Sequence, residues 1–188
     1  MTTIGVFDSG VGGLSVLKEI RVQLPAARLL YFADSAHVPY GPRPLEQVRG
    51  FSFAIADFLL LHGAEALVVA CNTASAAALY ALRARLAVPV IGMEPAVKPA
   101  VEHSHSGVVA VLATPATFQG ALFASVVERF AHGVEVIPQV CPGLVEQIER
   151  GELDTLATEA LLRACIEPLL ARGIDALVLG CTHYPFVR

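Results

Sequence analysis

Two segments of the same design lie 110 residues apart, and they constrain the fold more than any other feature of the chain. The first is Ala66-Leu67-Val68-Val69-Ala70-Cys71-Asn72-Thr73. The second is Ala176-Leu177-Val178-Leu179-Gly180-Cys181-Thr182-His183. Each is a short apolar run of strand length that ends in a small residue, a cysteine and two polar residues. A second pair of segments repeats at nearly the same interval. Gly5 to Gly10, with Asp8 and Ser9, matches Ala110 to Pro115, with Thr114, at an offset of 105. A chain that places a hydroxyl residue after one strand and a cysteine after a later one, twice, reads as two similar half-structures.

The segments between these markers alternate in period. Strands are expected at Ile4–Asp8, Leu29–Ala33, Ala66–Ala70, Pro89–Gly92, Val108–Ala113, Val134–Pro138 and Ala176–Leu179. Helical spacing is expected over Leu14–Leu24, Leu45–His62 (with Gly63 as its cap), Thr73–Leu86, Thr117–Phe130, Pro142–Arg150 and Leu153–Ala171. Glu94-Pro95 marks a break. Strand–helix alternation of this kind builds parallel sheets covered by helices. The fold class is therefore α/β, with two similar parallel-sheet lobes related by pseudo-symmetry, 1–94 and 95–188, and a cleft between them.

Composition excludes several classes. The 188 residues are 55% hydrophobic and 16% charged, enough to bury a core. The longest apolar stretch, Phe53–Ala70, is interrupted by Asp57, His62 and Glu65. A membrane-spanning helix needs about 20 mostly apolar residues, so none is expected. Strand residues start at Ile4 with no leader pattern before them, and the expected location is the cytoplasm. A formal charge of −4, with Lys18 and Lys98 the only lysines, argues against direct nucleic-acid binding. The four cysteines, at 71, 141, 165 and 181, make no CxxC pair, so no metal site is expected. A reducing cytoplasm makes a disulfide framework unexpected too.

In open parallel sheets, ligands bind outside the carboxyl ends of the strands, where Asp8, Ser9, Cys71, Thr114 and Cys181 all fall. The loop Asp8–Gly13 offers glycines for close backbone approach and free N–H groups ahead of a helix. It has neither the Gly-Lys-Ser/Thr of a phosphate loop nor GxGxxG spacing, so a nucleotide cofactor is not indicated. A tight turn capped by Asp8 or Ser9 would explain it equally well. Cys71 and Cys181 each precede a helical or polar segment whose backbone dipoles would favour a thiolate. Burial as plain core residues is the alternative, and it fits Cys165; Cys141 reads as structural. Two thiols on opposite faces of a carbon could remove a proton from one side and return one to the other. His183 could exchange a proton with Cys181. His103 and His105 lie in a polar stretch and are expected in solvent, whereas His37, His62 and His132 have no evident partner. The polar loop Asp34–Gly41, in which Pro39 and Gly41 bracket Tyr40, is either functional or a plain connection.

The motifs GVFDSGVGGLSVL (5–17), YFADSAHVPYG (31–41), CNTASA (71–76), GMEPAVKPA (92–100), VLATPAT (111–117) and LGCTHYPF (179–186) resemble the glutamate racemases of the aspartate/glutamate racemase superfamily. The resemblance runs over almost the whole chain. It implies cofactor-free interconversion of L- and D-glutamate by two bases, with D-glutamate going to peptidoglycan. By that resemblance Cys71 serves the D-enantiomer with Asp8 as helper, and Cys181 the L-enantiomer with His183 and Glu149. Ser9, Asp34, Ser35, Pro39, Tyr40, Gly41, Asn72, Thr73, Thr114, Thr117 and Thr182 fall at positions that bind or enclose the substrate. Aspartate racemisation, a DNA gyrase-inhibiting role and a catalytically inactive ligand sensor are the alternatives. Members of the family are commonly homodimers. They also continue beyond the LGCTHYPF motif, so the first lobe is expected to lack its usual C-terminal return here and to be less stable for it.

Overall fold

A computed structural model describes residues 1–187. The first sheet is wholly parallel. Its central strand β1 (Thr3–Asp8) pairs on one side with β2 (Arg28–Ala33). On the other it pairs with β3 (Ala66–Val69), which pairs in turn with β4 (Val90–Gly92). β1 is buried along almost its whole length, as expected of a strand covered on both faces. One face packs under helix α1 (Leu14–Gln23), where Val16, Leu17 and Ile20 meet Val6, Val68 and Ala70. The other face packs under α2 (Leu45–Leu61) and α3 (Asn72–Arg85), through Phe7, Val48, Ile55, Leu59, Leu67, Leu79 and Leu82.

After β4 comes α4 (Val97–His103), an unexpected helix, since Glu94-Pro95 reads as a break. Pro99 does not break it because it lies in the first turn, where backbone N–H groups have no intrahelical partner. The second sheet is also parallel. β5 (Val108–Leu112) lies between β6 (Glu135–Gln139) and β7 (Ala176–Leu179). The expected helix over 117–130 is two helices, α5 (Pro115–Gln119) and α6 (Ala121–Phe130), divided at Gly120. A side chain at Gly120 would stand 2.7 Å from Ala76 Cβ of α3, so the glycine lets the two halves touch there. α4 and α6 cover one face of this sheet through Val97, Val111, Val126 and Val178. α7 (Leu144–Glu149) and α8 (Leu156–Leu170) cover the other. A final 3-10 turn, Tyr184–Val187, joins that second core.

The two sheets share one plan. β1 and β5 are each flanked by the next strand on one side and by the cysteine-bearing strand on the other. The carboxyl ends of β1, β3, β5 and β7 carry Asp8, Cys71, Thr114 and Cys181. One expectation fails. Cys141, after β6, and Cys165, in α8, form a disulfide with Cα atoms 5.7 Å apart. Their separation of 24 residues carries no spacing signal, and only the packing of α8 beside the β6–α7 connection brings them together.

Candidate active site

Asp8 ends β1 and is fully buried. Its Oδ2 accepts hydrogen bonds from the N–H groups of Gly10 (3.0 Å) and Gly13 (3.1 Å), so the glycine loop closes around the carboxylate. Its Oδ1 accepts from Thr182 Oγ1 at 3.3 Å, across the cleft. Burial raises the Asp8 pKa, and the opposing charge of His183 and the loop N–H groups offset this only in part.

Cys71 is the N-cap residue of α3, and its Sγ accepts from the Ala74 N–H at 3.4 Å. Ser9 Oγ lies 4.0 Å from the same sulfur. The expected preference for thiolate at this helix start does not hold. Burial, followed by the charge of Asp8, pushes the thiol well above its ordinary range, and the Ala74 N–H opposes this only weakly. Cys71 therefore rests as a thiol, with a neighbour able to take its proton.

Cys181 is buried and free of any disulfide, with Sγ 3.7 Å from His183 Nδ1. On its other side, His183 Nε2 pairs with Glu149 Oε1. Burial works against a charged imidazole. The hydrogen bonds to Cys181 and Glu149 and the nearby charges of Cys181 and Asp8 nevertheless push His183 up to about 10. Burial likewise opposes the Glu149 carboxylate. The His183 partner and the Val11 N–H, which donates to Oε1 at 2.9 Å, hold it below its ordinary value. At neutral pH the arrangement is an imidazolium between a sulfur and a carboxylate.

Three hydroxyls meet where the lobes join. Thr73 Oγ1 lies 2.8 Å from Thr114 Oγ1 and 3.3 Å from Thr117 Oγ1, and the latter two are 2.9 Å apart. Asn72 Oδ1 is buried without a hydrogen-bond partner, the only such side-chain atom among the described residues. Among those residues, no group of three or more histidine, cysteine or acidic side chains is placed to hold a metal ion. Among the described residues, no helix is long and apolar enough to cross a membrane.

The loop after β2 reaches the site through its far end. Tyr40 is buried and donates its hydroxyl to Asp34 Oδ2 at 2.5 Å. Asp34 also holds His37 Nδ1 at 2.8 Å, and the His37 ring stacks on Phe51 at 4.0 Å. This supplies the partner that sequence left open for His37, and it makes Asp34 a brace for Tyr40. Ser35 is exposed and stands apart from the cluster. Gly41 packs flat on Thr114, where a side chain would come within 2.9 Å of Thr114 Cβ, and its carbonyl accepts from the Ala116 N–H. Pro39, Gly41, Thr114, Cys141, Glu146 and Tyr184 border a cavity of about 160 Å³ beside the cluster, and neither free thiol lies on its wall.

Gly10 and Gly12 were legible as a turn but not as contact surfaces. A side chain at Gly10 would overlap Glu149, and one at Gly12 would overlap His183. The bare backbone of the first lobe is what allows the helpers of the second thiol to approach it.

Residues 4–188 match the Asp/Glu/hydantoin racemase family. Glutamate racemase of Methylococcus capsulatus is 59% identical over 184 residues, which cover 98% of this chain and 68% of that protein. Among solved structures, a glutamate racemase isoform of Bacillus anthracis superposes with a TM-score of 0.89 at 40% identity, covering 99% of this chain and 70% of that one. The Escherichia coli glutamate racemase, solved with L-glutamate and the activator UDP-MurNAc-ala, also gives 0.89, at 35% identity with 99% and 71% covered. Paired strand-end thiols, two parallel sheets and identity at this level over nearly every residue have one explanation in common: the chain belongs to the Asp/Glu/hydantoin racemase family.

Proposed function

We propose that this chain interconverts L- and D-glutamate without a cofactor, by removing the α-proton on one face and returning a proton on the other. One observation carries the reading. The only two free thiols, Cys71 and Cys181, end equivalent strands of the two sheets, each with its own acid–base partner. Relatives 55–59% identical that bear the name glutamate racemase support glutamate as substrate, as does a related structure holding L-glutamate.

From L-glutamate, Cys181 acts as thiolate with the His183 imidazolium beside it and takes the α-proton. Cys71, held as a thiol, delivers its proton to the opposite face. From D-glutamate the roles reverse. Cys71 must then lose a proton that burial holds tightly, and Asp8, itself raised, is the adjacent acceptor. The α-carbanion has no cofactor to delocalise it, so fixed dipoles and charges must stabilise it. Asn72 Oδ1 is a buried acceptor suited to the substrate ammonium. The hydroxyls of Ser9, Thr73, Thr114, Thr117 and Thr182 and the N-terminus of α3 can hold carboxylates. The D-glutamate formed would enter peptidoglycan synthesis, the role that the family implies.

Incubation with each glutamate enantiomer in D2O tests the reading. Solvent deuterium should appear at Cα together with loss of optical rotation, from either starting enantiomer. Folded protein that exchanges neither would rule the reading out. Faster turnover of aspartate than glutamate would move the substrate assignment to the shorter acid.

A further inference from the structure

We infer that Tyr31 is a positioning residue that locks the loop Gly10–Gly13, and through it both carboxylate helpers, Asp8 and Glu149. The inference rests on the racemase reading above. Tyr31 lies on β2, paired in register with Val6 of β1, and so one strand from the reacting groups. Its hydroxyl donates to the Gly10 carbonyl at 2.7 Å. That hydroxyl occupies a niche that exists only because residue 13 lacks a side chain. A Cβ on Gly13 would stand 2.8 Å from Tyr31 Oη and 2.7 Å from Asp8 Cβ.

The loop held in this way has three working N–H groups. Gly10 and Gly13 donate to Asp8, and Val11 donates to Glu149. The carbonyl that Tyr31 fixes belongs to the peptide whose N–H is that of Val11. Rotation of this peptide plane would turn the Val11 N–H away from Glu149 at the same time as it freed Gly10. Burial, with the charges of Asp8, Cys71 and Glu149 next, raises the Tyr31 pKa, so the phenol stays protonated and remains a donor. No contact with a thiol is required of it. Its role is to set where the two carboxylates stand.

Tyr31→Phe removes one oxygen and keeps the ring. With the full chain assayed in both directions, kcat should fall about tenfold or more with KM within about threefold, because an unpaired carbonyl loosens the loop without touching substrate groups. Primary α-deuterium isotope effects, measured from L- and from D-glutamate, should keep their ratio, since both helpers loosen together. Ser52→Ala removes another buried hydroxyl, within α2, and should lower the melting temperature while leaving kcat unchanged. A folded Tyr31→Phe protein with wild-type kcat would overturn the inference, and so would a change in only one of the two isotope effects. An inactive wild type would sink the racemase reading and this inference together, whereas an active wild type with an indifferent Tyr31→Phe would sink the inference alone.

Discussion

Glu149, on the last turn of α7, accepts the backbone N–H of Val11 at 2.9 Å although 138 residues separate them. The same oxygen faces His183. Across the cleft Thr182, beside the second thiol, donates to Asp8, the neighbour of the first. Each lobe therefore holds a carboxylate that serves its own thiol, and each carboxylate is also held by the opposite lobe. Closure of the lobes and placement of the helpers are a single event, and the consequences can be separated by experiment.

Glu149→Gln keeps the shape but removes the charge opposite His183. The imidazolium should weaken, and proton removal by Cys181 should slow. A fall in kcat of about 100-fold with little change in KM is expected, at the low end of what acid–base groups contribute. Enantiomers have equal free energies in water, so kcat/KM must fall equally in both directions and cannot reveal which half is impaired. The α-deuterium isotope effect can. It should grow from L-glutamate, whose proton Cys181 removes, and shrink from D-glutamate. The opposite pattern would reverse the assignment of the two thiols.

The His183–Glu149 pair also sets a pH dependence of stability. His183 has a folded pKa of about 10 against 6.5 unperturbed. Its contribution is complete below the lower value and is lost as pH rises through the higher one. Glu149 has the opposite sign: its contribution is present above 4.5 and is lost as pH falls through its depressed folded value. Between pH 7 and 8.5 the protein should lose stability with rising pH, by at most about 1.4 kcal/mol per pH unit from this histidine. Urea melts across that range should show the slope in the wild type and a flatter line in Glu149→Gln. Equal slopes would mean that His183 does not hold its proton through Glu149.

The strands were legible in the sequence because buried parallel strands are short apolar runs, and their carboxyl ends located Asp8, Cys71, Thr114 and Cys181. What was not legible depends on contacts between distant segments. Glu149 lies on a six-residue helix with no pattern of its own, and only the family resemblance pointed to it. Tyr31 reads as an ordinary strand residue, because its partner is a backbone carbonyl on the neighbouring loop. α4 was hidden by Pro95 ahead of it and Pro99 within it, and the Cys141–Cys165 link by the absence of any spacing rule. The helix start at Cys71 is visible in the sequence and points to a thiolate, whereas the depth of burial that raises the thiol is not.

Two glycines should respond in opposite ways to the same change. Gly10→Ala drives a methyl group into the Glu149 carboxylate, so that carboxylate must swing away from Val11 and His183 or the loop must shift. Racemisation should fall at least tenfold, with about 1 kcal/mol of stability lost as the Glu149 hydrogen bonds to Val11 and His183 are displaced. Gly50, inside α2, has nothing within 4 Å of an added Cβ. Gly50→Ala should add about 0.5–1 kcal/mol through helix propensity and leave turnover intact. Thermal melts with assays on both variants test the pair. An active Gly10→Ala would mean that Glu149 tolerates displacement and does not need its contact with the loop.

Cys71→Ala and Cys181→Ala should each abolish racemisation, although for different reasons. Without Cys71, L-glutamate can still lose its proton to Cys181, but nothing on the other face can supply one, so configuration is retained. Without Cys181, the raised Cys71 thiol and Asp8 face D-glutamate with the same deficiency. Loss of at least about 1,000-fold is expected in both variants, because the missing atom takes part in the bond changes themselves. Both thiols are buried, neither is in a disulfide and each makes only long sulfur hydrogen bonds, so replacement by alanine should cost only modest stability. Folding checked by circular dichroism then separates lost chemistry from lost structure. If one single variant kept more than a few per cent of wild-type racemisation while folded, inversion would require only one thiol, and the pairing of the two strand ends would need another explanation.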